Sequence, residues 1–139
     1  MSLNIYIDTN IFLNSILNRD NNISKEVLFF LEQKGFNIIL NDISIINIHY
    51  YISKSKTLLK DEIKDYINIF LKNYIIVAAS EDILKNAINS NFSDFEDGVQ
   101  YFCAKKTNAN LIITNDKKGF KNSDIEVITA QDFFNNYIR

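Results

Sequence analysis

The chain has 139 residues, 47% of them hydrophobic, and its fifteen Lys and Arg against seventeen Asp and Glu give a formal net charge of −2. That length suits a single domain over residues 1–139 with a core large enough to fold alone, and proline is absent while glycine occurs only at 35, 98 and 119, which excludes a flexible linker between modules. A near-neutral charge excludes strong global attraction to nucleic acid or membrane, and the single cysteine, Cys103, excludes an intramolecular disulfide and a cysteine-rich zinc site.

Residues 3–8, Leu-Asn-Ile-Tyr-Ile-Asp, form a short, mostly apolar strand closed by a carboxylate. Thr9-Asn10 follow at once, and Ile11, Phe12, Ser15 and Ile16 begin a helical pattern. A second helical stretch over 23–34 carries Val27, Leu28 and Leu31 and stops at Gly35. Residues 36–40 read as a second strand, after which Asn41, Asp42 or Ser44 can cap a third helix bearing Ile45, Ile46, Ile48, Tyr51 and Ile52. A fourth helix is predicted over 57–71, with Leu58, Leu59, Ile63, Tyr66, Ile67 and Phe70 on one face, and residues 74–77 make a third strand.

A short helix over 80–90 follows, with Ile83, Leu84, Ala87 and Ile88 inward. Ser93-Asp94-Phe95-Glu96 has the form of a capping box, in which Ser93 accepts from the Glu96 amide while Glu96 reaches back. The helix it opens, 94–107, holds Cys103, expected to be a buried packing residue. It leads into a fourth strand over 110–114, a polar loop over 116–124, a fifth strand at 126–128 and a terminal helix capped by Thr129. Strands alternating with helices imply a mostly parallel sheet of four or five strands between helical layers, an α/β/α sandwich. The N-terminus lacks the basic region and long apolar run of a secretion signal, and no segment approaches the ~18 uninterrupted apolar residues of a membrane span. A cytoplasmic protein without membrane contact is therefore expected.

In a parallel sheet, strand ends and the starts of helices share one rim. Asp8 and Asp116 lie at strand ends, Asn47 lies early in the helix after strand two, and Asp94 and Asp97 open the helix before strand four. Carboxylates about 4 Å apart repel by roughly 4 kcal/mol at an effective dielectric near 20, so such a cluster calls for a cation. An oxygen-preferring ion, Mg²⁺ or Mn²⁺, suits these ligands. It can activate water and stabilise charge on a phosphate under in-line attack, which points to metal-assisted phosphodiester hydrolysis.

The Asp8-Thr9-Asn10 opening, the Asp94-Phe95-Glu96-Asp97 helix start and the 114–120 segment Thr-Asn-Asp-Lys-Lys-Gly-Phe resemble the acidic motifs of PIN-domain nucleases, including VapC-like toxins of bacterial toxin-antitoxin pairs. The resemblance runs from Ile5 to about Phe133. It implies a central parallel sheet between helices, Mg²⁺ or Mn²⁺ dependence and an RNA substrate. Asp8, Asp97 and Asp116 would be metal ligands or would orient the attacking water, and Asp94 would add a ligand or position a metal-bound water. Thr114 and Asn10 would hydrogen-bond and fix those carboxylates. The resemblance extends to modules that pair as homodimers and bind an inhibitory antitoxin. One departure concerns the helix after strand two, where the family commonly has a glutamate and this chain has Asn47. The competing expectation is accordingly a PIN-like scaffold that binds RNA or protein with weak catalysis or none.

Other readings are blander. Asp8 could simply cap the first helix and Asp116 could be a turn residue. Glu96 is the capping-box partner, His49 a surface or interface residue, and the lysines at 105, 106, 117, 118 and 121 a solvated surface. Tyr50-Tyr51 and Phe29-Phe30 read as core or dimer surface.

Overall fold

The computed structural model describes residues 3–139. Met1 and Ser2, which begin the N-terminal segment read above as lacking a secretion signal, lie outside the described residues. Five strands form one sheet: β1 (Asn4–Ile7), β2 (Asn37–Asn41), β3 (Ile75–Val77), β4 (Leu111–Ile113) and β5 (Glu126–Ile128). Their order is β3-β2-β1-β4-β5 and all four pairings are parallel. Helices supply the crossovers that parallel neighbours require: α1 (Thr9–Leu17), α2 (Ile23–Gln33), α3 (Asp42–Ser55), α4 (Lys60–Asn73), α5 (Glu81–Ile88) and α6 (Phe95–Lys106). A 3₁₀ turn (Lys117–Phe120) lies between β4 and β5, and α7 (Ala130–Phe133) runs into a π-helical turn (Phe134–Ile138).

Alternation along the strands divides the core into two layers. Ile5, Ile7, Ile38, Leu40 and Ile113 face α1, α2, α3, α4 and α7, where Phe12, Leu31, Ile48 and Phe70 are buried. Tyr6, Ile39, Val77 and Ile112 face the other way, onto Ile83 and Ala87 of α5 and Val99, Cys103 and Ala104 of α6. Each large apolar side chain removed from water contributes roughly 1.5–3 kcal/mol, so these faces hold the strands in register. Phe12, Phe70 and Tyr74 cluster with ring centroids 5.2–5.7 Å apart and tie α1 to α4. Cys103 is fully buried, and burial above all pushes its thiol up to about 11, which suits an inert packing residue.

Helix boundaries follow local chemistry. Asn41 opens α3 by accepting from the Ser44 amide at 2.7 Å, and Thr129 opens α7 by accepting from the Asp132 amide at 3.0 Å. The fourth helix begins at Lys60, later than the apolar pattern predicts. Lys56 closes α3 in the left-handed region (φ 57°), the Thr57 amide turns onto Ser55 Oγ, and Glu62 then accepts from the Leu59 amide at 2.8 Å. No helix among the described residues is long and apolar enough to cross a membrane.

Candidate active site

The chain winds outward from β1 through β2 to β3, then crosses back to place β4 on the other side of β1. Beyond the carboxyl ends of β1 and β4 lies the crevice where strand order reverses, the usual ligand position in open α/β sheets. Ile7 pairs with Ile113, so the next residues, Asp8 and Thr114, emerge side by side. Both are buried, Asp8 at 4% exposure and Thr114 at 0%.

Asp8 has the extended backbone of a helix N-cap, yet its side chain caps nothing. Its Oδ2 instead accepts from Thr114 Oγ1 at 2.6 Å, and its Oδ1 from Gln100 Nε2 at 3.0 Å. Gln100, 2% exposed, accepts in turn from the Thr9 amide at 3.3 Å and from the Tyr6 hydroxyl at 3.5 Å. Tyr6 OH accepts from Asn41 Nδ2 at 3.0 Å, and Thr9 Oγ1 meets Ser44 Oγ at 2.7 Å. Burial raises the Tyr6 phenol well above its ordinary value, so it serves as a neutral member of this network. The Asp8 carboxylate is thus fixed on both oxygens by neutral donors and forms no ion pair with any described residue. Burying a charge that way is costly unless a cation answers it.

The expected capping box does not form. Asp94, not Ser93, caps α6, and its Oδ1 accepts from the Asp97 amide at 3.0 Å. Both residues are good caps by type. A helix starting at Phe95 buries Gly98, Val99 and Gln100, and a Cβ at Gly98 would already stand 3.4 Å from Ala87 and Phe92. Glu96 is therefore free of capping duty. Its carboxyl is raised by burial first and then by Asp8 and Asp94, so it senses the same rim.

Asp97 lies one turn before Gln100 on α6. Burial, then Asp8, Asp94, Asp116 and Glu96, push its carboxyl up from 3.8 to about 7. Asp116 closes the turn after β4: its amide donates to Thr114 Oγ1 at 3.0 Å and its Oδ1 accepts from the Gly119 amide at 3.1 Å. A Cβ on Gly119 would sit 2.3 Å from Asp97 Oδ2 and 2.6 Å from Asp116 Oδ2. Those two oxygens therefore lie no further apart than the sum of these distances, and a larger residue at 119 would have to displace them.

The supporting residues divide. Thr114 bridges Asp8 and Asp116 as expected. Asn10 is exposed on α1 and makes no side-chain hydrogen bond to any described residue, because the inward face of that turn belongs to Thr9, Ile11 and Phe12. With half-buried Asn47 it instead borders a polar cavity of about 300 Å³ next to the carboxylates. His49 is exposed and lines a separate groove between α3 and α4. Tyr50 and Tyr51 are exposed rather than core, as is Phe29. Lys105 pairs with Asp124 at 2.7 Å, while the lysines at 106, 117, 118 and 121 are exposed.

Ion pairs among the described residues are confined to Lys85–Glu81 and Lys105–Asp124, so Asp8, Glu96, Asp97 and Asp116 have no Lys or Arg to balance them. No group of three or more His, Cys, Asp or Glu side chains among the described residues is drawn together closely enough to hold a metal ion. The donor set still fits a hard dication, because Mg²⁺ uses only one or two carboxylates and completes its shell with water and substrate phosphate. Of the residues that build this site, Gln100 escapes a reading of the sequence, while Glu96, Ser44 and Gly119 are visible there only as cap or motif residues. A polar Gln100 inside the buried run of α6, three residues after Asp97, was the signal available for it.

The family model for the PIN domain matches residues 4–118, from the first strand through the Asp116 turn. Ribonuclease VapC1 from Aquifex aeolicus (strain VF5) is 29% identical over 137 residues, which cover 93% of this chain and 92% of that protein. Among solved structures, VapBC2 from Rickettsia felis bound to a promoter DNA fragment superposes with a TM-score of 0.64 at 22% identity, covering 91% of this chain and 98% of that one. A toxin-antitoxin complex from Klebsiella pneumoniae gives 0.68 at 17% identity, with 91% and 97% covered. At these identities the structures speak to the fold, whereas the family match spans Asp8, Asp94, Glu96, Asp97 and Asp116: the chain belongs to the PIN domain family.

Proposed function

We propose that this protein is a divalent-metal-dependent ribonuclease that hydrolyses RNA phosphodiester bonds, a single-domain toxin of a toxin-antitoxin pair acting in the cytoplasm. One observation carries the reading. A buried carboxylate, Asp8, is locked on both oxygens by neutral donors, beside two further carboxylates whose oxygens converge on Gly119, with no cation among the described residues to balance them. The ribonuclease name of the Aquifex aeolicus relative supports the activity, and the Rickettsia felis and Klebsiella pneumoniae complexes support an inhibitory antitoxin as partner.

Asp8, Asp97 and Asp116 would hold the Mg²⁺ or Mn²⁺, which supplies an activated water and neutralises charge on the attacked phosphate. Gln100 and Thr114 hold Asp8 in one orientation, and Thr114 also fixes the Asp116 backbone. Asp94 acts through Asp97, whose amide it accepts, and therefore positions that carboxylate. The competing scaffold reading rests on Asn47, an amide where the resemblance leads one to expect a glutamate. Incubation of labelled RNA with Mn²⁺ separates the two. The nuclease cleaves, its thermal midpoint rises with the ion, and Asp8→Asn loses both effects; a scaffold shows neither in the wild-type chain.

A further inference from the structure

We infer that the polar cavity bounded by α1, α3 and the start of α6 seats the RNA nucleotide next to the cleaved bond, with Arg19 on a phosphate and Tyr51 against a base. The inference rests on the ribonuclease reading and adds where, and by what chemistry, the strand is held.

The cavity continues the carboxylate rim, for Thr9 and Glu96 line it and each is the chain neighbour of a site aspartate. A strand lying across Asp8 and Asp97 therefore runs into it. Its volume, about 300 Å³, is at the lower end of the roughly 300–1,000 Å³ typical of small-ligand pockets, which suits one nucleotide unit and not a duplex. With a net charge of −2 and several carboxylates at the centre, a polyanion needs a local cation to approach.

Arg19 supplies that cation. It lines the cavity and forms no ion pair with any described residue. Its Nε donates to Asn14 Oδ1 at 3.1 Å, leaving the terminal N–H groups of a fork that matches phosphate geometry. The adjacent acid is already occupied, since Asp20 accepts from both the amide and the hydroxyl of Ser24 at the start of α2. The loop presenting Arg19 is fastened from within. Asn18, Asn21 and Asn22 take the left-handed conformation that asparagine tolerates, the Asn22 amide donates to Asn18 Oδ1 at 2.9 Å, and the Arg19 amide donates to the Asn14 carbonyl at 3.1 Å. The backbone that carries the cation is held in place before substrate arrives.

The remaining lining residues suit a base and a ribose. Tyr51 is 50% exposed, and an exposed aromatic ring offers a sequence-tolerant surface for stacking. The amides of Asn10 and Asn47 make no side-chain hydrogen bonds to described residues, so each retains donors and an acceptor for a base edge or a 2′-hydroxyl.

The test uses the protein with a fluorescent RNA hexanucleotide pool, kept uncleaved by chelating divalent metal, and titrates affinity against salt. Arg19→Gln should weaken binding roughly tenfold and lower the salt slope by about 0.7, the single-strand value for one phosphate. Arg19→Lys should retain the slope. Tyr51→Ala should weaken binding about 5- to 100-fold with the slope unchanged. Lys64→Gln, in the separate groove, should match wild type, and all four variants should keep the wild-type thermal midpoint because these side chains are exposed. If Arg19→Gln and Tyr51→Ala bind like wild type while Asp8→Asn still abolishes cleavage of natural RNA, the cavity assignment falls and the ribonuclease reading stands. A wild-type protein that neither binds the pool nor cleaves RNA overturns both.

Discussion

Both rims of the sheet carry hydrogen-bonded polar side chains and resolve them differently. At the amino-terminal rim, Asn37 Nδ2 donates to Asn4 Oδ1 at 2.8 Å, Asn4 Nδ2 donates to the Thr107 carbonyl at 3.1 Å, and the Asn4 amide donates to Asn110 Oδ1 at 2.8 Å. Donors and acceptors there match, all are neutral, and the rim closes on itself. At the carboxyl-terminal rim the neutral groups also match, from Asn41 through Tyr6 and Gln100 to Asp8 and Thr114, but they end on carboxylates that form no ion pair with any described residue. Hydrogen bonding alone completes one rim. Under the proposed function a cation would complete the other, and that is where chemistry is expected.

Asp8→Asn should break the contrast most severely. It removes the buried charge while retaining much of the shape. If metal and charge stabilisation supply several kcal/mol, cleavage should fall about 10³-fold or more in a single-turnover RNA assay; a loss below tenfold would leave the two rims equivalent. Gly119→Ala comes next. The clash falls on the flexible ends of Asp97 and Asp116, so the fold should survive while both carboxylates are displaced, and activity should drop by roughly 10²-fold. Circular dichroism of wild-type form with normal cleavage would show that the convergence does not matter.

Gln100→Leu should cost about 10- to 100-fold, the usual range for residues that orient a metal ligand, with the loss partly recovered at higher Mn²⁺. A loss that Mn²⁺ cannot shift would assign Gln100 to packing. The pH profile sharpens the comparison further. Because Asp97 holds its proton up to about 7 when folded, against an ordinary value of 3.8, the folded state binds more protons between those values. Metal-free stability should therefore decline as pH rises through that window. Asp97→Asn should remove the decline and exceed wild type in thermal midpoint at pH 8 without metal; parallel profiles would refute the raised value. Smallest is Asn4→Ala on the amino-terminal rim, which should cost about 1–2 kcal/mol in urea unfolding and leave cleavage untouched.

What the sequence made legible was local. The strand at 3–8 ends on Asp8 and the one at 110–114 precedes Asp116, and alternation together with strand length reveals both. Their parallel pairing placed the two ends on one rim without any knowledge of side-chain contacts. The rest depends on contacts between distant segments. Ser93 and Asp94 are comparable caps by type, and nothing local in the sequence decides between them. Gln100 is one polar residue in a helix until β1 is known to lie opposite it. Gly119 looks like an ordinary turn glycine until Asp97 arrives from α6. Asn10, promising from its place beside Asp8, faces outward because its neighbours fill the core.

The most direct test is the position of a bound ion. Crystals grown with Mn²⁺ and measured at the manganese absorption edge should show one anomalous peak, or two, between Asp8, Asp97 and Asp116. A crevice without any peak at millimolar Mn²⁺, or a peak held by other residues, would contradict the claim that these carboxylates exist to hold a dication.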